Sequence, residues 1–266
     1  MTSQTFQTIT LETDARGVAR LTLNRPDKHN ALNGQLIDDL KAAADQLAVD
    51  DSVRVVVLSG EGKSFCAGGD FNWFKGNAEA DRATRIRESS KLAHMLNALN
   101  ALPKPLIGRI QGPAYGGGVG MISVCDIAVG VDTARFGLTE VRLGLIPANI
   151  SPHVVARIGA ANSRATMLSG ALFSAANAEK IGLLNETVSP DDLDARIDAI
   201  IDDHLEAALG AVGETKRLIA YVASHSIDDN MIYTADRLAD AWETDEGSTG
   251  INCFLDKKLP PWRTDK

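Results

Sequence analysis

Two glycine-rich stretches hold the residues of this chain whose types and spacing could do chemistry. In AYGGGVGM, residues 114–121, three glycines in a row and a fourth two places on lie between the apolar runs PLIGRI and MISVCDIAV. A turn stripped of side chains lets backbone N–H groups at the start of a following helix face an approaching negative charge, assisted by the helix dipole. Tight helix-to-strand packing also needs small residues and no ligand, so this stretch alone leaves both readings open. A dinucleotide fingerprint is excluded, because Gly116 and Gly118 are followed by Met121 where G-x-G-x-x-G needs its third glycine. A phosphate loop is excluded as well, since no lysine follows Gly120.

The second stretch, KSFCAGGDF over residues 63–71, shifts the balance. There an apolar run, VRVVVLSG, leads into the small-residue turn Ala67-Gly68-Gly69, followed by Asp70. Two glycine turns, each after a core strand, can bring two N–H donors to one point. Donors so placed stabilise the negative charge that develops on a carbonyl oxygen, and losing one costs on the order of 10²–10³ in rate.

The elements that must position these turns follow from periodicity. FQTITLET and VARLTLN flank Asp14-Ala15-Arg16-Gly17, which predicts a hairpin. Leu36, Leu40, Ala43 and Leu47 recur at steps of four, three and four, which predicts a helix with one apolar face over 34–48. Residues 53–60 form a short β-branched run bounded by charge and glycine, as in a strand buried on both faces. A helix over about 80–101, a strand in PLIGRIQG, a helix starting at MISVCD and a strand in DIAVGVD complete an alternating α/β layout. From about residue 175 helical periods take over, in SAANAEKIGLL, DDLDARIDAIIDDHLEAAL, ETKRLIAYVASHS and a long segment ending near Asp245.

Composition narrows the class. A chain of 266 residues with 44% hydrophobic side chains can fill a sizeable core. With 27 basic against 35 acidic residues the formal charge is -8, which disfavours nucleic acid and anionic membrane as partners. Cys66, Cys125 and Cys253 are an odd set without metal-ligand spacing, and MTSQTFQTIT has neither a basic nor an apolar leader region. The expectation is a cytoplasmic protein with free thiols and no membrane anchor. His94, His204 and His225 fall on predicted helices without ligand spacing, His29 in a polar turn, so no metal site is expected. Cys66 reads as packing, since no histidine is tied to it by a motif.

RPDKHNALN (25–33), SFCAGGDF (64–71), GPAYGGGVG (112–120), FGLTEVRLGLIP (136–147) and FLDKKLPPW (254–262) together resemble the crotonase family, which includes enoyl-CoA hydratases and isomerases. These motifs nearly span the chain in the family's order. The resemblance implies a spiral of strand–strand–helix turns over about 1–200, with a helical C-terminal trimerisation region over about 201–266. It implies an acyl-CoA thioester substrate, no prosthetic group, and a homotrimer or dimer of trimers. By motif position, Gly69 and Gly117 would supply the N–H donors, while Lys28, Ala31, Leu32, Ala67, Asp70 and Phe71 would lie along the CoA moiety. For Lys28 a solvated loop position, and for Asp70 a turn-capping role, stand beside that reading.

Two-carboxylate hydratases of the family carry one glutamate two residues after the glycine triplet and a second in the P-E or T-E step after the next strand. Here the first position is Gly120 and the second is Glu140. Only Glu140 is left for acid–base work, which fits isomerisation by proton transfer between C2 and C4, or hydration with water held by another polar group. Around 147–152 the usual P-G-A-G-G segment is replaced by Pro147-Ala148-Asn149-Ile150-Ser151-Pro152. With AYGGGVG and FNWF, this segment most resembles the bacterial methylglutaconyl-CoA hydratase-like branch, so hydration is the expected reaction. Asn149, Ser151 and His153, just beyond Glu140, could orient water or a second substrate carboxylate but are read first as loop hydrogen-bonders, and FNWF as a lid or a packing element.

Overall fold

The computed structural model describes residues 6–263. A six-stranded sheet is assembled from β1 (Ile9–Thr13), β2 (Val18–Leu23), β3 (Val55–Gly60), β4 (Leu106–Ile110), β6 (Ile127–Val131) and β9 (Glu186–Val188), in that spatial order. β1 and β2 run antiparallel through the predicted hairpin, where Asp14 Oδ1 accepts from the N–H groups of Arg16 and Val18. The remaining neighbours are parallel. β5 (Ala114–Tyr115), β7 (Arg135–Gly137) and β8 (Phe173–Ser174) form a second, three-stranded sheet. Each of β4–β5 and β6–β7 leaves the large sheet, adds a strand to the small one and passes into a helix. This is the expected strand–strand–helix spiral.

Ten helices surround these sheets among the described residues. Asn33 caps α1 (Gly34–Val49) by accepting from Leu36 N–H, and Leu36, Leu40, Ala43 and Leu47 are all buried, as their spacing predicted. β3 is buried along nearly its whole length, as the β-branched run implied. α2 (Phe71–Glu79) and α3 (Arg82–Asn100) follow β3, and α3 packs on α1. α4 (Gly117–Ser123) and α5 (Ser151–Met167) follow the two short strands. α6 (Ala175–Lys180), α7 (Leu193–Leu205), α8 (Leu209–Val222), α9 (Ile227–Glu243) and α10 (Asp245–Leu255) make the C-terminal third mainly helical.

Three elements depart from the sequence reading. The helix expected to begin at MISVCD begins instead at Gly117 and ends at Ser123, so the glycines themselves are helical. Glycine is a poor helix former, but all seven residues of α4 are buried, and packing overrides propensity. α5 was not expected; its first turn contains Pro152, and it bends at Gly159, whose φ of +74° is outside helical space. The C-terminal third also donates β9, an edge strand paired to β6, which its flanking helical periods concealed.

Candidate active site

The two glycine turns lie side by side because their backbones pair. Phe65 and Cys66 N–H groups donate to Pro113 O (3.0 and 3.3 Å), and Tyr115 N–H donates to Cys66 O (2.9 Å). Leu32 then bridges to the far side of the first turn: its N–H donates to Gly68 O at 2.7 Å and its O accepts from Asp70 N–H at 2.8 Å. Those bonds use the residues on either side of Gly69, which turns the Gly69 N–H away from the bridge. In the second turn Gly116 adopts φ +49°, conformational space that side chains disfavour, and anchors its N–H on Gly137 O at 2.9 Å. Gly117 follows as the first residue of α4, where an N–H has no acceptor within the helix.

Gly69 and Gly117 line one cavity of about 640 Å³. The close-packing reading holds at the same time. A Cβ on Gly69 would lie 2.4 Å from Phe74 Cε2, and one on Gly117 would lie 2.3 Å from Leu32 Cδ1. Neither turn accepts a side chain while its neighbours keep their places.

Glu140 lines that cavity as well, at the start of a 3₁₀ turn just beyond β7. Its Oε1 sits 2.9 Å from where a Cβ on Gly116 would be, and its Oε2 is buried with no hydrogen-bond partner among the described residues. Burial pushes the carboxyl above the ordinary carboxylate range, with a bond from its own backbone N–H acting the other way. A partly desolvated carboxylate beside free amide donors can take and return a proton next to a carbonyl whose oxygen the donors hold. Gly120, one turn further along α4, faces Ile150: a Cβ there would lie 2.6 Å from Ile150 Cγ2 and 3.5 Å from Leu96 Cδ1.

The structure brings Gly69, Gly117, Glu140, Leu32 and Ala67 onto the cavity wall. Ala31 and Asp70 are not part of that wall. Asp70 caps α2 by accepting from Asn72 N–H (2.9 Å) and pairs with Arg25 Nη2 (3.0 Å), the capping role foreseen for it. Burial opposes the Asp70 charge, but the bond to Arg25 and the cap hold its carboxyl below the ordinary range. Lys28 and Phe71 are exposed and lie off the wall; Phe71 is 80% exposed. Asn149 lines the cavity, whereas Ser151 Oγ donates to Ala148 O at 2.8 Å, as a loop bonder does. His153 lies on α5, and burial lowers its pKa. Cys66 is fully buried and its thiol is pushed up to about 12, which suits packing.

Sequence reasoning missed Arg25, whose guanidinium also holds Ala31 O and so ties the Leu32 strand to the turn at Asp70. Nothing in RPDKHN marks that arginine over any other loop arginine. Helix faces near residues 74–100 were expected to line the acyl tunnel without any residue being singled out, and the far wall lies there, where Arg85 and Ser89 of α3 join Trp73, Phe74 and Asn77 of α2. Arg85 donates to Asn77 O (2.8 Å) and Ala78 O (2.7 Å), fastening the C-terminal end of α2. FNWF is therefore a helix that leans over the cavity.

The chain matches the model of the enoyl-CoA hydratase/isomerase family over residues 13–265. A protein named as a probable enoyl-CoA hydratase of Mycobacterium tuberculosis is 31% identical over 259 residues, covering 96% of this chain and 98% of its own length. Among solved structures, an enoyl-CoA hydratase from Shewanella pealeana superposes with a TM-score of 0.93 at 32% identity, covering 97% of this chain and 96% of that one. Pseudomonas aeruginosa AtuE superposes with a TM-score of 0.93 at 33% identity, covering 97% of this chain and all (100%) of that one.

Proposed function

The chain belongs to the enoyl-CoA hydratase/isomerase family, and on that premise we propose that it adds water across the double bond of an α,β-unsaturated acyl-CoA. One observation carries the reading: Glu140 opens onto the same cavity as the amides of Gly69 and Gly117. In the proposed reaction those amides hold the thioester oxygen. Glu140 takes a proton from water, whose oxygen bonds to C3, and the C2=C3 electron pair moves onto the thioester oxygen as an enolate. The enolate collapses as Glu140 returns the proton to C2, restoring the thioester. Every atom and charge is accounted for with one carboxylate.

The finer reading is a methylglutaconyl-type substrate, with CoA present only as part of that substrate and no prosthetic group. Arg85 and Ser89 on the same cavity wall support it, since a guanidinium and a hydroxyl suit an acyl group that ends in a carboxylate. Lys28 and Phe71, exposed outside the cavity, are placed by this reading along the nucleotide end of CoA. We further place the protein in the cytoplasm as a homotrimer or dimer of trimers, with residues 201–266 as the assembling region. Exposed Ile232, Trp242, Phe254 and Leu255 on α9 and α10 support the assembly.

Isomerisation is favoured by one feature, the absence of a second carboxylate at Gly120. Turnover of a panel of short, branched and dicarboxylic enoyl-CoAs in oxygen-18 water separates the two: hydration puts the label at C3 and isomerisation incorporates none. Glu140→Gln is expected to lower kcat by about 10²–10⁴ without loss of fold. An unchanged rate in that variant removes Glu140 from the mechanism.

A further inference from the structure

Gly120 and Ile150 are matched in size across the cavity wall. Ile150 lies at the entry to α5, is 2% exposed, and contacts the bare face of α4 where any side chain at 120 would project. Four residues earlier on the same stretch, the bare face at Gly116 meets the Glu140 carboxylate. Ile150 lines the same cavity as Glu140, whereas Gly120 does not. A longer side chain carried by residue 120 would be aimed at Ile150, which stands between it and that cavity. Leu96 closes the same slot from α3.

We infer that Ile150 is a specificity-determining residue: by filling the slot of a side chain at position 120, it confines acid–base chemistry to Glu140. The inference builds on the hydratase reading and adds how its single-base character is enforced.

The pairing is tested first without substrate, by thermal unfolding of Gly120→Ala, Ile150→Ala and the double variant. The methyl of Gly120→Ala collides with Ile150, and overpacking of this kind lowers Tm by about 5 °C in a chain of this size. In the double variant the two losses should be clearly less than additive, because the collision disappears with the Ile150 side chain. Additive losses overturn the pairing. Second, kcat/KM for hydration is followed from pH 5 to 9 in the wild type and in the variant Gly120→Glu with Ile150→Gly. The wild type should show one ionisation, and the two-site variant a second. A second ionisation in the wild type, or none added in the variant, overturns the role assigned to Ile150. Coupled melts in a protein that hydrates no enoyl-CoA defeat the hydration reading while keeping the pair.

Discussion

Replacing Arg25 with methionine tests how the Leu32 segment is held against the first glycine turn. The guanidinium makes two charge-assisted bonds, one to Asp70 Oδ2 at 3.0 Å and one to Ala31 O, and the ion pair is shielded, with side-chain exposures of 15% and 12%. Each such bond contributes about 1.5–3 kcal/mol. Methionine retains the apolar stem, and Asp70 keeps its cap on Asn72 N–H, so the net loss falls at about 2–4 kcal/mol. At roughly 2–4 °C per kcal/mol for a chain of this size, Tm should drop by about 4–16 °C. The pH dependence identifies the partner. Asp70 has a folded pKa below its ordinary 3.8, so its contribution is complete above pH 3.8 and is lost as pH falls through the folded value. The gap between variant and wild type should stay constant from pH 5 to 8 and narrow only below 3.8, leaving the part owed to the bond with Ala31 O, which does not titrate. Arg25 touches no reacting atom in this scheme, so KM should rise more than kcat falls. An unchanged Tm, or a gap that narrows near pH 6, would show that the Arg25–Asp70 pair is not what joins the Leu32 segment to that turn.

Gly117→Ala would put a methyl 2.3 Å from Leu32 Cδ1, the movable end of a side chain, so stability should fall only modestly. Its displaced amide should cost 10²-fold or more in kcat/KM, measured on the best enoyl-CoA of the panel. For Glu140 the sign runs opposite to Asp70: its folded pKa lies above the ordinary 4.5, so the folded state binds the proton more tightly and stability declines as pH rises from 4.5 through the folded value. Glu140→Gln should therefore melt higher than wild type above that window and lose the advantage below 4.5, while wild-type kcat/KM falls as pH drops through the same folded value. Native alkylation with iodoacetamide at pH 8, read by mass spectrometry, should leave Cys66 and Cys125 unmodified, since both are fully buried with thiols pushed up to about 12.

Much of this was legible in the residues, and the losses have physical causes. The apolar stripe of α1 and the β-branched run of β3 bury the residues their spacing selected, because each element meets the core on the face that carries the signal. The two glycine turns could be assigned to one place because a missing side chain is itself informative, whereas Glu140 joined them only through its motif position in the family resemblance. The start of α4 was not legible, since its helicity is imposed by neighbours such as Leu32 and Ile150 and not by the glycines. Arg25 was invisible for a related reason: its partners are a backbone carbonyl and an aspartate 45 positions away. Ile150 appeared only as a departure from a glycine-rich motif, and the contact with Gly120 gives that departure its meaning.

α2 has nine residues and buries none of them fully, yet it supplies Trp73 and Phe74 to the cavity. It is attached chiefly at its ends, through the Asp70 cap and the Arg85 bonds to Asn77 and Ala78. Lifting such a segment breaks a few polar contacts and exposes little core, so its opening free energy is far below that of the sheet beneath it. Backbone amides of residues 71–79 should then trade deuterium well before those of β2 and β3, and the cavity mouth can widen at Phe74 without unfolding the sheet beneath it.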